Sequence, residues 1–514
     1  MLTNGLLHDG LAYWARRTPD KPAAVFVGQG TISFADLARW SDGIAERLQD
    51  EGVAAGDNVA IAGANALGWV AAAFGVLKAG ATIAPFNDRL LGEELAYLAG
   101  YSEARLIIAD DQRAELLAAA GVPTPRLSLA ELDRHRQGAS PSWRPVRVSS
   151  SDTAMIIFTS GSTARPKGAM MGHGNYLAKF MEMRMLDARL GPETRSLMPF
   201  GLHSSPGLPW GALFTTTLGG TLYFLSKYDA ALTLEILVGE GISFFIGVPM
   251  IYDQISKLPA FARSDLSRLT FARVGGATPA LETLARWQEA GVTVRQLYGM
   301  TEVGGGSITA SEEEARHRPA ACGRGLAFSR FRVTRADGID CEPGEPGNVL
   351  LQGPGMMSGY WSQPEATAEA LIDGWMHTGD IGLVDDEGYF YFVDRAKEMI
   401  KSGGYNVSPA EIEAVLAQHE AVREVAVFGI MDEKVAETAC ACVYLSREVP
   451  SQELVDFCAS RLANFKLPRF IVKLKDPLPR LSNEKVDRRT LKAKFGDVAT
   501  LPPRLDPSRP TAKN

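Results

Sequence analysis

Ser33 followed by Asp36 reads as a helix cap, after which Leu37, Trp40, Ile44 and Leu48 recur on one helical face. Short continuous apolar runs follow at 59–61, 82–84 and 106–108, separated by segments of helical period. The alternation resumes at 242–246, 269–274 and 292–297. Buried strands alternating with helices predict an α/β fold with a substantially parallel sheet. Near residue 393 the pattern changes, as the apolar Tyr-Phe-Tyr-Phe-Val run gives way to the charged Asp394-Arg395-Ala396-Lys397-Glu398. Beyond it, Ser408-Pro409-Ala410-Glu411 combines a cap, a proline at the first helical position and a glutamate placed to close a capping box. Ile412, Val415 and Leu416 then face inward. Alternating strands around 425–428 and 440–444 complete a smaller unit. The pattern predicts a large multi-layer α/β domain over 1–393, a link at 394–397 and a small C-terminal α+β domain over 398–514.

A chain of 514 residues exceeds one ordinary domain, which agrees with that division. Apolar residues at 46% and charged residues at 22% exclude a mainly disordered chain. With 53 Lys and Arg against 60 Asp and Glu, the net charge of −7 argues against a nucleic-acid partner held by a general basic field. The five cysteines, Cys322, Cys341, Cys440, Cys442 and Cys458, form no CxxC pair. Their odd number and low density predict reduced thiols in a cytoplasmic protein. The most apolar stretch, 69–77, is stopped by Lys78 and is too short to span a membrane, and the N-terminus lacks the pattern of a signal peptide.

The densest chemical signal is Thr159-Ser160-Gly161-Ser162-Thr163-Ala164-Arg165-Pro166-Lys167-Gly168, at the end of an apolar strand pattern. Small residues let backbone N–H groups approach an anion, the hydroxyls donate further bonds, and Lys167 supplies charge. The segment reads as a polyphosphate cradle. It is not a Walker A loop, because Pro166 stands where glycine should precede the lysine and Gly168 replaces the hydroxyl residue that would hold magnesium. No GxSxG elbow occurs, which removes a hydrolase of that type.

This loop resembles the phosphate-binding motif of the adenylate-forming superfamily, which includes acyl-CoA synthetases, luciferases and peptide-synthetase adenylation domains. Gln296-Leu297-Tyr298-Gly299-Met300-Thr301-Glu302 is similar to the family's adenine and magnesium motif, and His377-Thr378-Gly379-Asp380 to its ribose-binding turn. Asp394-Arg395-Ala396-Lys397 is similar to the interdomain hinge, and Ser402-Gly403-Gly404-Tyr405 to the loop after it. Leu478-Pro479-Arg480 precedes Lys485 at the spacing of the family's catalytic lysine. The matches fall in order and cover nearly the whole chain.

The resemblance implies ATP, Mg²⁺ and, as co-substrate, coenzyme A. It implies that Tyr298 stacks on adenine beside Gly299, that Thr301 touches the α-phosphate, and that Glu302 holds magnesium through hard carboxylate oxygens. Asp380 would accept from the ribose hydroxyls, and Arg395 would bond ribose or phosphate as a planar donor fork. Gly276 and Ala277 would pass between the adenine and acyl pockets, Lys397 would be the pivot, and Gly403 and Gly404 would line a pantetheine tunnel. Lys485 would sit between the substrate carboxylate and the α-phosphate, where two anions need a cation in the gap. His203, Val303, Gly304 and Gly306 would line an uncharged, mostly apolar pocket, favouring a fatty, aromatic or alicyclic acid.

The sequence departs from the family's pattern in three places. Ala164 stands where glycine is usual in the phosphate loop, and Asn483-Glu484 replaces the usual Ser-Gly before Lys485. Gly304-Gly305-Gly306 comes directly behind Glu302 and Val303, either leaving room for a bulky or branched acyl group or forming a flexible turn. The implied activity is that of an ATP-dependent acyl-CoA synthetase, an acid–thiol ligase. It would convert a carboxylic acid, ATP and coenzyme A to acyl-CoA, AMP and pyrophosphate through an acyl-adenylate. Alternatives are an adenylating enzyme that loads a carrier protein, and a nucleotide-binding scaffold without catalysis. The expected partner is a small carboxylic acid, with no nucleic acid and no membrane span, and a homodimer is left open.

Overall fold

In the computed structural model, which describes residues 5–90, 92–133, 143–159, 166–395, 398–402, 405–432, 436–462, 464–481, 484–497 and 501–506, the expected cap forms. Ser33 Oγ accepts from Asp36 N at 3.1 Å at the start of the helix Phe34–Asp50, and Leu37, Trp40, Ile44 and Leu48 all lie in the core. The helix Leu67–Lys78 is buried on every side, as expected of an all-apolar helix inside a large domain. Its closing Lys78 is also buried, held by Asp42 at 2.6 Å and the carbonyl of Ala38 at 2.9 Å. Among the described residues no helix is long and apolar enough to cross a membrane.

The chain divides into two compact units, Met1–Phe331 with Leu350–Thr378, and Arg332–Val349 with Gly379–Asn514. Two sheets carry the first unit. One has seven strands in the order Gly359–Tyr360, Lys167–Gly172, Thr153–Thr159, Thr82–Phe86, Asn58–Ala62, Leu106–Ala109 and Arg126–Ser128. Its strands from Thr153–Thr159 onward run parallel, whereas Lys167–Gly172 returns antiparallel against Thr153–Thr159. The other has eight strands, and at one end the parallel neighbours Phe244–Gly247, Phe271–Val274 and Val294–Met300 are followed by the antiparallel Gly305–Thr309. Apolar runs read from sequence at 59–61, 82–84 and 106–108 fall on these strands, and those at 242–246, 269–274 and 292–297 overlap them, each beginning two residues before its strand.

In the second unit Val422–Asp432 pairs antiparallel with Ala436–Leu445, which pairs parallel with Pro468–Leu474. One face of this sheet buries Ile412, Leu416, Val427, Ala441, Val443 and Leu454 in a common core, and the other buries Phe428, Cys440, Cys442, Phe470 and Leu491. Ser408 caps the helix Pro409–Leu416 by accepting from Glu411 N at 3.3 Å. The expected capping box does not close, because the Glu411 carboxylate pairs with Lys466 at 2.6 Å instead. Asp394, read from sequence as part of a charged interruption, is buried and accepts from Ala410 N at 3.1 Å and from Ser408 Oγ. The division places Gly379 onward in the second unit, ahead of the 393/394 position read from sequence. Strand Phe390–Arg395 pairs back on 380–384, which ties those residues to the later part of the chain.

Candidate active site

Antiparallel strands Thr153–Thr159 and Lys167–Gly172 form a hairpin whose last pair is Thr159 opposite Lys167. The loop it carries includes Ser160, Gly161, Ser162, Thr163 and Ala164, which lie outside the described residues, as do Lys397, Gly403, Gly404 and Asn483. The hairpin base is fixed by Tyr101, whose hydroxyl accepts from Gly168 N at 3.2 Å and donates to the Trp361 carbonyl at 2.7 Å. A Cβ on Gly168 would come within 2.5 Å of Ile156 Cγ2, so glycine is required by packing at that position.

Strand Val294–Met300 ends in the single turn Thr301–Val303 and returns as Gly305–Thr309 through Gly304 at φ 74°. A Cβ on Gly299 would overlap the Gly305 carbonyl oxygen, so the close hairpin needs glycine there. The turn buries Glu302 at 5% exposure. Its Oε1 accepts from Tyr360 OH at 2.9 Å and, over a longer 3.4 Å, from Thr159 Oγ1, while its carbonyl accepts from Met357 N at 2.8 Å. Lys167 Nζ lies 5.1 Å from the centre of the Tyr360 ring. Burial first, and then the Glu302 charge, push the Tyr360 phenol well up, so it stays a donor. Thr159, Lys167, Glu302 and Tyr360 thus form one cluster.

Among the described residues no cation pairs with Glu302, although a buried carboxylate normally needs one. Both hydroxyl donors fall on Oε1, and among the described residues no hydrogen bond engages Oε2. Among the described residues no three His, Cys, Asp or Glu side chains form a ready-made metal cage. This donor set fits magnesium, which is commonly held by one or two carboxylates together with substrate phosphates.

At the end of strand Phe271–Val274 the backbone turns through Gly276 at φ 86°, leaving Gly276 and Ala277 exposed. Tyr298 is buried opposite Ile308 in the neighbouring hairpin, and Val303 is buried in its turn. His203 Nδ1 lies 3.5 Å from Asp88 Oδ1. Burial pushes this imidazole down to about 4 in spite of Asp88, so it is neutral near pH 7. The segment carrying it is tied by Asn65, which accepts from Leu202 N at 2.8 Å and donates to the carbonyls of Phe200 and Leu225. The glycine run proves tightly packed. Cβ atoms there would meet Lys179 Cγ at 3.1 Å from Gly304, Trp210 Nε1 at 2.6 Å from Gly305, and Arg273 Nη2 at 2.5 Å from Gly306. The space of the missing side chains is filled by neighbours, and the run is a hydrogen-bonded hairpin.

In the second unit Asp380 and Arg395 are cross-strand partners, with Arg395 Nε 3.7 Å from Asp380 Oδ1. The Asp380 side chain is 16% exposed and that of Arg395 is 57% exposed. Lys485 ends a tight turn in which its carbonyl accepts from Leu481 N at 2.8 Å. Arg480 braces this turn, donating to the Glu484 carbonyl at 3.0 Å and pairing with Glu424 at 3.0 Å. Glu484 takes φ 64°, the left-handed conformation that glycine adopts freely.

Tyr360, Tyr101 and Asn65 are site-shaping residues that sequence reading missed. Each acts on a segment at least 58 positions away, as Tyr360 does on Glu302, and nothing in its own neighbourhood marks it.

Residues 11–361 match the AMP-binding enzyme family, and residues 411–485 match the AMP-binding enzyme C-terminal domain. The chain is 34% identical to feruloyl-CoA synthase of an Amycolatopsis species over 495 residues, 95% of this chain and 100% of that one. Its fold is similar to o-succinylbenzoate CoA synthetase from Bacillus subtilis in complex with the acyl-adenylate intermediate OSB-AMP. There the TM-score is 0.85 and the identity 28%, with 96% of this chain and 99% of that chain covered. The same synthetase with ATP and magnesium ion gives a TM-score of 0.83 and 27% identity, covering 94% and 99%. The chain belongs to the AMP-binding enzyme family.

Proposed function

We propose that this protein is an ATP-dependent acyl-CoA synthetase whose substrate is an aromatic carboxylic acid. The observation that carries the reading is the cluster in which the hairpin ends Thr159 and Lys167 meet the buried Glu302 through Tyr360. The aromatic class is supported by two similar enzymes whose names specify feruloyl and o-succinylbenzoate groups, and the same names favour coenzyme A over a carrier protein as acceptor.

A carboxylate is a poor electrophile because its leaving oxygen would be anionic. In the first step a carboxylate oxygen bonds to the α-phosphorus of ATP, and the bond to pyrophosphate breaks with its electron pair. In the second the coenzyme A thiol gives up its proton and its sulfur bonds to the acyl carbon, releasing AMP. The enzyme's part is positional and electrostatic. Lys167 and the loop it closes hold the phosphates, Thr301 touches the α-phosphate, and Glu302 holds Mg²⁺, its Oε1 fixed by Tyr360 and Thr159. Tyr298, Gly276 and Ala277 frame the adenine, and the paired Asp380 and Arg395 take the ribose. Lys485 bridges the two anions in the first step only. Domains 1–393 and 398–514 reorient about 394–397 between steps, with Lys397 as pivot. Five cysteines without a disulfide support a cytoplasmic location.

The test is a panel of aromatic, alicyclic and fatty acids, scored for pyrophosphate release and, by mass spectrometry, for the coenzyme A thioester. Aromatic acids should give both products. Pyrophosphate without thioester would point to a carrier-protein acceptor, and no pyrophosphate with any acid would leave a nucleotide-binding scaffold.

A further inference from the structure

Arg273 is a buried cation without a counter-charge among the described residues. It sits on strand Phe271–Val274, where Ala272 and Val274 join the core against Tyr252 and Trp287 on one face. Arg273 points to the other face at 1% exposure, between the rings of Trp210 and Phe271, whose centres are 5.5 and 5.8 Å away. A hydrogen bond runs from its Nη1 to Met183 Sδ at 3.1 Å, a weak acceptor. Among the described residues Nε and Nη2 have no partner. The charge nearest to it in effect is another cation, Arg295, whose own Nη2 is committed to Asp187 at 2.8 Å. Burial, reinforced by Arg295, pushes Arg273 down to about 9, which leaves it charged near pH 7. The cation–π contact with Trp210 satisfies the charge of the guanidinium in part but not its idle N–H donors. Such a group is costly to bury unless something completes it.

Its surroundings suggest what does. Arg273 is the penultimate residue of a parallel strand that leads directly into Gly275-Gly276-Ala277, and ligands of α/β sheets bind beyond such carboxyl ends. The hairpin that carries Tyr298, Thr301 and Glu302 lies against it. Gly306 makes room for Nη2 and Gly305 for the Trp210 indole, whose Nε1 donates to the Gly304 carbonyl at 3.2 Å. Trp210 belongs to Pro206–Leu213, a stretch of π-helix, a rare form that is frequently found at functional sites. The glycine run therefore serves to seat this guanidinium and indole beside the hairpin.

We infer that Arg273 is a specificity-determining residue that receives an acceptor or anionic oxygen at the far end of the acid, selecting aromatic acids that carry a second carboxylate, a phenolic or a carbonyl oxygen. The inference rests on the acid-activating reading above. Pyrophosphate release is measured with cinnamate and its para-methyl, para-hydroxy and para-carboxy counterparts, for the wild-type chain, Arg273→Met and Arg273→Lys. The wild type should favour at least one oxygen-bearing acid over the para-methyl acid in kcat/KM by roughly tenfold or more. Arg273→Met should lose that preference while keeping cinnamate turnover and the KM for ATP, and Arg273→Lys should restore part of it. The same oxygen-bearing acid should raise the melting temperature of the wild type and not of Arg273→Met. Equal kcat/KM for the four acids in the wild type, or a preference that survives Arg273→Met, overturns the inference. A uniform loss with all four acids would make the residue structural and overturns it too. If no acid is turned over, the acid-activating reading fails separately, and the melting shifts still decide for or against Arg273.

Discussion

Glu484 holds a conformation that most side chains avoid. A non-glycine residue at φ 64° costs about 1–2 kcal/mol, part of which glycine would return through its greater freedom in the unfolded chain. The turn survives because Leu481 N, the Glu484 carbonyl and the Arg480 guanidinium bind it from both sides. Glu484→Gly should therefore raise stability, by about 0.5–1 kcal/mol, seen as a higher denaturant midpoint with an unchanged slope. A lower midpoint would mean that the side chain contributes more than the strain costs. At this scale much was legible in sequence. Thr159, Lys167 and Glu302 stand out for their chemistry, and the structure brings them together. Tyr360 was not legible, because the carboxylate it serves lies 58 residues away. Nor was Arg273, since an arginine between alanine and valine carries no local mark of a missing partner.

At the scale of elements, periodicity and capping chemistry placed the strands and helices well, while the ends were settled by partners that sequence does not show. Glu411 illustrates this, as Lys466 takes the carboxylate that would have closed the capping box. The glycine run after Glu302 illustrates it again. A flexible turn and a roomy pocket look alike in sequence, and only the neighbours Lys179, Trp210 and Arg273 show a packed hairpin. The link near 394–397 gains a constraint from the structure. Asp394 precedes the proposed pivot yet binds Ser408 and Ala410 beyond it, so rotation at Lys397 must release those bonds. Lys397→Pro would fix φ near −65° and remove a donor. The expected outcome is a folded variant that still forms acyl-adenylate in a single turnover but transfers the acyl group to coenzyme A far more slowly. Transfer at the normal rate would remove rotation about this residue from the mechanism.

Across the whole molecule, stability should depend on pH through three imidazoles, the buried His173 and the partly buried His8 and His203. His8, His173 and His203 are each pushed down to about 4, chiefly by burial. In the unfolded chain they titrate near 6.5. Between these values the unfolded chain binds protons that the native one does not, so stability is at its fullest above about 6.5 and falls as pH drops toward 4. The urea midpoint at pH 5 should lie below that at pH 7.5, with a combined loss on the order of a few kcal/mol. His203→Gln should reduce the difference. An equal midpoint at both pH values would mean that the imidazoles are reached by solvent.

The central claim is that one active site runs two steps and that a lysine is needed where two anions meet. Lys485→Ala tests it most directly, by following acyl-adenylate formation from acid and ATP and, separately, thioester formation from preformed acyl-adenylate. The account predicts that the first half-reaction falls by roughly a hundredfold or more, while the second changes only a few-fold. Equal losses in both half-reactions would contradict it, because Lys485 would then act through folding rather than through the charge it places between carboxylate and phosphate.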